Sequence, residues 1–109
     1  MQKVSIEALA RQQLERALAG GRNAADTVVG GHERILRQTV VGMTAGSEMS
    51  EHENPGEATI YVLKGSVRLI AGDQQWDGRT GDLLMIPDSR HSLLALDDSA
   101  ILLTVAKRP

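Results

Sequence analysis

The residues of this sequence that could hold a metal ion or move a proton are three histidines and the carboxylates near them. The chain contains no cysteine, which excludes thiolate zinc sites, disulfides and thiol nucleophiles. His52 lies in an acidic segment, residues 48–57, and His91 follows a turn at residues 87–90. His32 stands after a glycine pair, where we interpret it as a solvated side chain.

His52 and His91 are 39 residues apart (91 minus 52), so only tertiary structure can bring them together. Each is predicted to lie next to the start of a strand. In a small closed β structure, two such imidazoles can point into one interior, where a divalent ion would take their lone pairs. We therefore predict one site that contains both histidines.

One helix is predicted, over residues 6–19, because apolar side chains recur there every three or four positions. Ser5 is placed to cap the first backbone amides, and Gly20 and Gly21 offer the left-handed residue that ends a helix. The polar side of this helix mixes both charges. That mixture favours a helix packed on the outside of a domain over one that lies on a membrane.

From residue 26 onward the apolar pattern has a period of two, with turn residues about every ten positions, which is typical of an all-β domain. Residues 48–57 are predicted to form a loop. The predicted organisation is a helix and connector over residues 1–25 and a β domain over residues 26–109. The predicted strands are 27–29, 33–44, 58–64, 66–71, 75–77, 82–86, 91–96 and 100–107.

Several predicted strands are apolar on both faces. Ile60 and Val62 alternate with Tyr61 and Leu63 in one strand, so both sides of that strand must be covered. One face would line the interior, and the other would meet the helix or a second subunit. This pattern predicts a homodimer.

Two segments resemble the two sequence motifs of the cupin family. Residues 46–65, GSEMSEHENPGEATIYVLKG, are similar to the first motif, and residues 81–91, GDLLMIPDSRH, to the second. The resemblance covers about residues 30 to 107. It implies an all-β fold, the double-stranded β-helix or jelly-roll barrel, here with an N-terminal α-helix, and a protein that is commonly dimeric. In this family three histidines and a glutamate inside the barrel often hold iron, manganese, nickel or zinc.

The resemblance carries only His52 and His91 over as metal ligands. Family members with a full site have histidine at the position of Asn54 and glutamate at the position of Ala58. Loss of the anionic ligand weakens the binding of a divalent ion. If a metal binds, the predicted ligands are the two histidines and either Glu57 or Asn54. Glu57 would have to turn inward from its strand, because adjacent strand residues face opposite sides.

Two classes of function follow, and the sequence assigns no reaction to either. In the first, a small molecule binds through a divalent metal held by the two histidines, and a redox-active ion would permit dioxygenase-like chemistry. In the second, a metal-free ligand-binding or sensory protein has a pocket with His52, Asn54 and His91 as polar anchors. The apolar walls of that pocket are Ile60, Val62 and Leu93. A third arrangement, in which the protein's own side chains fill the pocket, also stays open.

Composition argues against nucleic acid and membrane as partners. Tyr61 and Trp76 are the only aromatic residues, the net charge is -2 and the basic residues are scattered, whereas nucleic-acid binding needs a cationic stripe and stacking rings. No apolar run is long enough to form a signal peptide or to span a membrane. We therefore predict a cytoplasmic protein with a small-molecule ligand.

Overall fold

The computed structural model describes the backbone of residues 1–52 and 56–108, and their side chains except at 51 and 52. No helix in this part of the chain is long and apolar enough to cross a membrane. It contains one α-helix, α1 (Ile6–Arg16), followed by a π-helical turn (Ala17–Gly21). The strands are β1 (Asn23–Val29), β2 (Leu36–Met43), β3 (Glu48–His52), β4 (Gly56–Lys64), β5 (Ser66–Ala71), β6 (Gln74–Arg79), β7 (Leu83–Met85), β8 (His91–Ala95) and β9 (Ser99–Lys107).

Helix α1 begins after Ser5, as the sequence predicts. The Ser5 hydroxyl accepts a hydrogen bond from the backbone N–H of Ala8 at 3.2 Å, which satisfies one of the amides that have no partner in the first turn. At its other end the helix widens into the π-helical turn, and Gly20 adopts a φ of 123°. Glycine takes this conformation easily because it has no Cβ. The α-helix is therefore shorter than predicted, and the glycine ends the whole segment.

The strands form two antiparallel sheets. The larger has the order β1-β2-β9-β4-β7 and the smaller the order β3-β8-β5-β6. The all-β class with one helix is thereby confirmed. The first strand begins at Asn23, three residues before the expected start of the β domain at residue 26. The division of the chain into residues 1–25 and 26–109 stays a prediction.

The main apolar core lies between the two sheets. Along β4, buried residues alternate with more exposed ones, so Ile60 and Val62 lie on one face and Tyr61 on the other. We call the face of each sheet that bears this core the inner face. Burying one such side chain stabilises the fold by roughly 1.5–3 kcal/mol. The buried residues of this core are Val41, Met43, Ile60, Val62, Val67, Leu69, Leu93, Ala95 and Ile101.

Helix α1 packs on the outer face of the larger sheet, as predicted. Ala10 of the helix, Val40 of β2 and Ala100 of β9 form a second buried cluster. Gly42 allows this close approach, because a Cβ at that position would overlap the backbone of Gln13. The outer face of β2 is therefore covered by the chain's own helix.

The prediction of a loop over residues 48–57 is wrong at both ends, since Gly56 and Glu57 belong to β4. Glu48–His52 form strand β3, which pairs with β8. This strand lies at the edge of the smaller sheet, where charged side chains are tolerated because one side of the strand has no neighbour. The apolar pattern missed it because Met49 is its only apolar residue.

Candidate functional site

His91 is a buried histidine at the start of β8. Its exposed fraction is 3%, and by alternation it shares the inner face with Leu93 and Ala95. Its Nδ1 lies 2.8 Å from the carbonyl oxygen of Ser89. Since a carbonyl oxygen only accepts, Nδ1 donates in this bond, and the neutral ring then carries its lone pair on Nε2. The turn before β8 thus sets the orientation and the tautomer of the ring.

The backbone register places His52 opposite His91. Met49 pairs with Leu93, so a regular ladder would bring residue 51 opposite His91. An irregularity between Met49 and His52 shifts the pairing by one residue, and His52 becomes the partner. Directly opposed residues of antiparallel strands have Cβ atoms about 4.5–5.5 Å apart. The side chain of His52 lies outside the described residues, but its backbone is adjacent to that of His91.

Strand β4 begins close to this pair of histidines. Only residues 53–55 separate His52 from Gly56, a connection that spans at most about 14 Å. Ala58 is buried on the inner face, whereas Glu57 is exposed on the opposite face. At this end of β4 the inward-facing side chain is therefore the methyl group of Ala58, which cannot bind a metal ion. The ligand role of Glu57 stays a prediction, and Asn54 lies outside the described residues.

The three residues predicted to wall a pocket, Ile60, Val62 and Leu93, all belong to the core between the sheets. Val62 has no exposed surface, and neither has Ile101, its partner on β9. That part of the interior is filled by side chains. Leu93 lies two residues from His91 on β8. The candidate site is therefore the end of the space between the sheets where β8 begins, and its described residues are His91, Leu93 and Ile60.

Arg37, near the start of β2, is a further charged residue at this end of the interior. The register runs from Arg37 through Val105 to Ala58, so these three residues share the inner face of the larger sheet. Arg37 is exposed, and its position places a cation at the rim of the interior, at the end where β4 begins. The alternation of β2 could not reveal this, because Val40 and Val41 are both buried.

Fold and sequence together identify the family. The model of the cupin domain matches residues 39–105, and the chain belongs to the cupin family. A conserved protein of unknown function from Streptococcus pyogenes is 24% identical, with a TM-score of 0.75 over 83% of this chain and 78% of that chain. An RmlC-like cupin from Desulfovibrio desulfuricans is 26% identical, with a TM-score of 0.69 over 79% and 83% of the two chains. KdgF from a Halomonas species is 22% identical, with a TM-score of 0.65 over 80% and 82%. No curated protein matches the sequence.

Cupins commonly bind metals. We therefore ask whether the side chains near His91 offer enough nitrogen and oxygen atoms to bind a metal ion. His91 fits it, because metal-binding histidines usually donate their other ring N–H to a carbonyl or carboxylate. Ala58 contributes no oxygen. Within residues 1–52 and 56–108, no group of three His, Cys, Asp or Glu side chains could hold a metal ion. The described donors are therefore insufficient by themselves for a divalent ion.

Proposed function

We propose that the protein binds a small molecule between its two sheets, with His91 and His52 as polar anchors. The observation that carries this proposal is the buried imidazole of His91, oriented by the Ser89 carbonyl. By alternation its ring lies on the inner face of the smaller sheet with Leu93, and Ile60 lies on the inner face of the larger sheet in the same core. An apolar cavity with a few convergent polar groups is the usual form of a ligand pocket.

The proposed ligand carries a carboxylate. Arg37 shares its face with Ala58, and a guanidinium binds a carboxylate through two parallel hydrogen bonds. Glu57 is exposed on the other face of β4. Among the described residues, Arg37 supplies a cation at the rim of this end, which favours an anionic group. The Nε2 lone pair of His91 would accept a hydrogen bond from a hydroxyl group of the same ligand.

A divalent ion, iron, manganese, nickel or zinc, is the second candidate for this site. The hydrogen bond from Nδ1 of His91 favours it. His52 and His91 would hold the ion with Asn54 or Glu57, and a redox-active ion would support a dioxygenase-like reaction on a small organic substrate. The DMSP lyase DddQ from Ruegeria pomeroyi shares this fold, with a TM-score of 0.68 and 23% identity over 47% of its own length. The fold neighbours thus include an enzyme.

The remaining parts of the proposal concern the surroundings of the site. We propose that the two sheets close into a barrel around it, and that the protein acts in the cytoplasm as a homodimer. A closed barrel would exclude water from the His91 end and strengthen its polar contacts with a ligand.

The test is a titration of the full chain, treated with a chelator, with short mono- and dicarboxylates and separately with Zn²⁺. The histidine ring resonances report binding in nuclear magnetic resonance spectra. We expect the His91 ring to shift with a carboxylate, and His91→Gln to weaken binding about tenfold or more. A shift with Zn²⁺ alone would support the second candidate instead.

His32→Gln is the matched control, because it makes the same substitution at an exposed histidine. Arg37→Gln is a second variant, which removes the proposed carboxylate partner at an exposed position. Binding that is unchanged in both His91→Gln and Arg37→Gln would overturn the proposal. The absence of any shift at His91 with every probe would do the same.

A further inference from the structure

Trp76 is an exposed tryptophan on the inner face of the smaller sheet. It pairs with Leu69 of β5, which belongs to the core between the sheets, and directly paired residues project from the same face. Gly78, two residues further along β6, has the same orientation, because a Cβ there would contact Leu84 and Val62 of the larger sheet. Trp76 is nevertheless 52% exposed, whereas Leu69 is 1% exposed. The larger sheet therefore leaves the indole uncovered.

The indole adjoins the candidate site at His91. Leu69 pairs with Leu93 on its other side, so Leu93, Leu69 and Trp76 form one row across β8, β5 and β6. Neighbouring strands lie about 4.8 Å apart, which places the backbones of Leu93 and Trp76 about 10 Å from each other. His91 lies two residues from Leu93, or about 7 Å along the same strand. The imidazole and the indole thus lie on one face, close enough for a single small molecule to contact both rings.

The space beside the indole is lined mainly by apolar side chains. Leu84 of β7 packs on the core, and so does Ile86, whose N–H donates to the Ala58 carbonyl oxygen at 3.0 Å. Within the described strands β6 and β7, Gln74 is the one polar side chain besides Trp76 on the inner face. A sugar ring would bring several hydroxyl groups here, and most of them would lose their hydrogen bonds. An aromatic ring carries no such groups, so these residues favour an aromatic ring.

We propose that Trp76 binds the aromatic ring of the ligand and makes the site selective for aromatic carboxylic acids. The inference rests on the proposed function, which supplies the carboxylate. Aromatic rings attract each other in offset-stacked or edge-to-face arrangements, and a bound ring also removes apolar indole surface from water.

The strand order gives the ligand a direction. In the larger sheet, β9 and β4 separate β2, which bears Arg37, from β7. Trp76 lies on β6, and Gly78 of the same strand adjoins Leu84 of β7. The cation and the indole therefore lie on opposite sides of the interior. The carboxylate would lie towards β2 and the aromatic ring towards β6.

A pair of matched acids tests the inference. Phenylacetate and cyclohexylacetate carry the same charge and the same number of carbon atoms, and only the first has an aromatic ring. Trp76 is the only tryptophan of the chain, so its fluorescence reports on a ligand that reaches it. We expect the full chain, treated with a chelator, to bind phenylacetate about three- to tenfold more tightly than cyclohexylacetate. The emission of Trp76 should change with phenylacetate.

Trp76→Leu should remove this preference, and Trp76→Phe should keep part of it because an aromatic ring remains. Tyr61→Leu is the matched control, since Tyr61 is the only other aromatic residue and lies exposed on the outer face of β4. It should leave the preference unchanged. The ring resonances of His91 measure the affinities of all variants, and circular dichroism shows that each is folded.

The outcomes separate this inference from the proposed function. Equal affinities for the two acids in the unaltered protein would overturn the inference, and so would a preference that survives in Trp76→Leu. In both cases a shift of the His91 ring with the acids still supports a carboxylate site between the sheets. If neither acid shifts the His91 ring, the carboxylate site itself is wrong, and the inference is wrong with it.

Discussion

The two faces of the larger sheet differ although the same strands build them. On the inner face, Val62 and Ile101 have no exposed surface, whereas Tyr61 and Met85 on the outer face are 41% and 64% exposed. Both faces carry large apolar side chains. In the part of the chain that the structure describes, the second sheet buries the centre of the inner face, whereas α1 covers the outer face only in part. The difference separates apolar residues that are buried within the chain from those that stay exposed on it.

The largest effect is expected from truncation of the inner face. Ile101→Ala should lower the free energy of unfolding by about 2–5 kcal/mol, because it leaves a cavity in a completely buried cluster. Ile35→Ala makes the same chemical change at an exposed position and should change it by about 0.5 kcal/mol or less. Denaturant unfolding at one fixed protein concentration measures both. Equal losses for the two variants would contradict the contrast between buried and exposed positions.

A smaller effect is expected where the helix meets the outer face. Gly42→Ala should destabilise the protein by about 1–3 kcal/mol, because the new Cβ overlaps the backbone of Gln13 and the helix must shift. Gly21→Ala is the control, since the nearest atom to a Cβ there is the Arg16 carbonyl oxygen at 3.5 Å. The melting temperature followed by circular dichroism distinguishes them. A Gly42→Ala protein as stable as Gly21→Ala would mean that α1 is not held against β2.

The smallest effect is expected on the outer side of the smaller sheet. Arg68 donates two hydrogen bonds to Asp77, at 2.7 Å and 3.1 Å, and this contact holds the pKa of the Asp77 carboxyl below its ordinary value. A carboxyl group whose pKa is lowered on folding stabilises the folded protein at pH values above its ordinary pKa. This stabilisation is lost as the pH falls through the lowered pKa. Both side chains are partly exposed to solvent, so the contribution of the pair is small.

Asp77→Asn should therefore lower the urea midpoint slightly near pH 7, and the two proteins should converge near pH 2. A difference that persists or grows at low pH would contradict this origin of the stabilisation. Asp73→Asn is a suitable control in the same hairpin, because Asp73 lies in the turn between β5 and β6 and is exposed.

Local patterns predicted the elements whose evidence lies within a few residues. The cap at Ser5 and the glycine after residue 19 predicted the ends of the helical segment, and the alternation around Ile60 predicted β4. Strand β3 was missed because an edge strand needs few apolar residues. The exposed sides of β4 and β7 were not predictable, because their exposure depends on how far α1 reaches across the sheet.

For the candidate site, the sequence determined which residue types are available. The tertiary structure determined which of these residues lie next to one another. The types of His52 and His91, and their resemblance to the cupin motifs, already indicated where to look. The irregularity in the pairing of β3 with β8 decides which residue stands opposite His91. Pairing across two strands places Arg37 on the same face of the larger sheet as Ala58. Such pairings join residues far apart in the chain. A one-residue shift reverses the face of every side chain in a strand, so spacing along the chain cannot specify them.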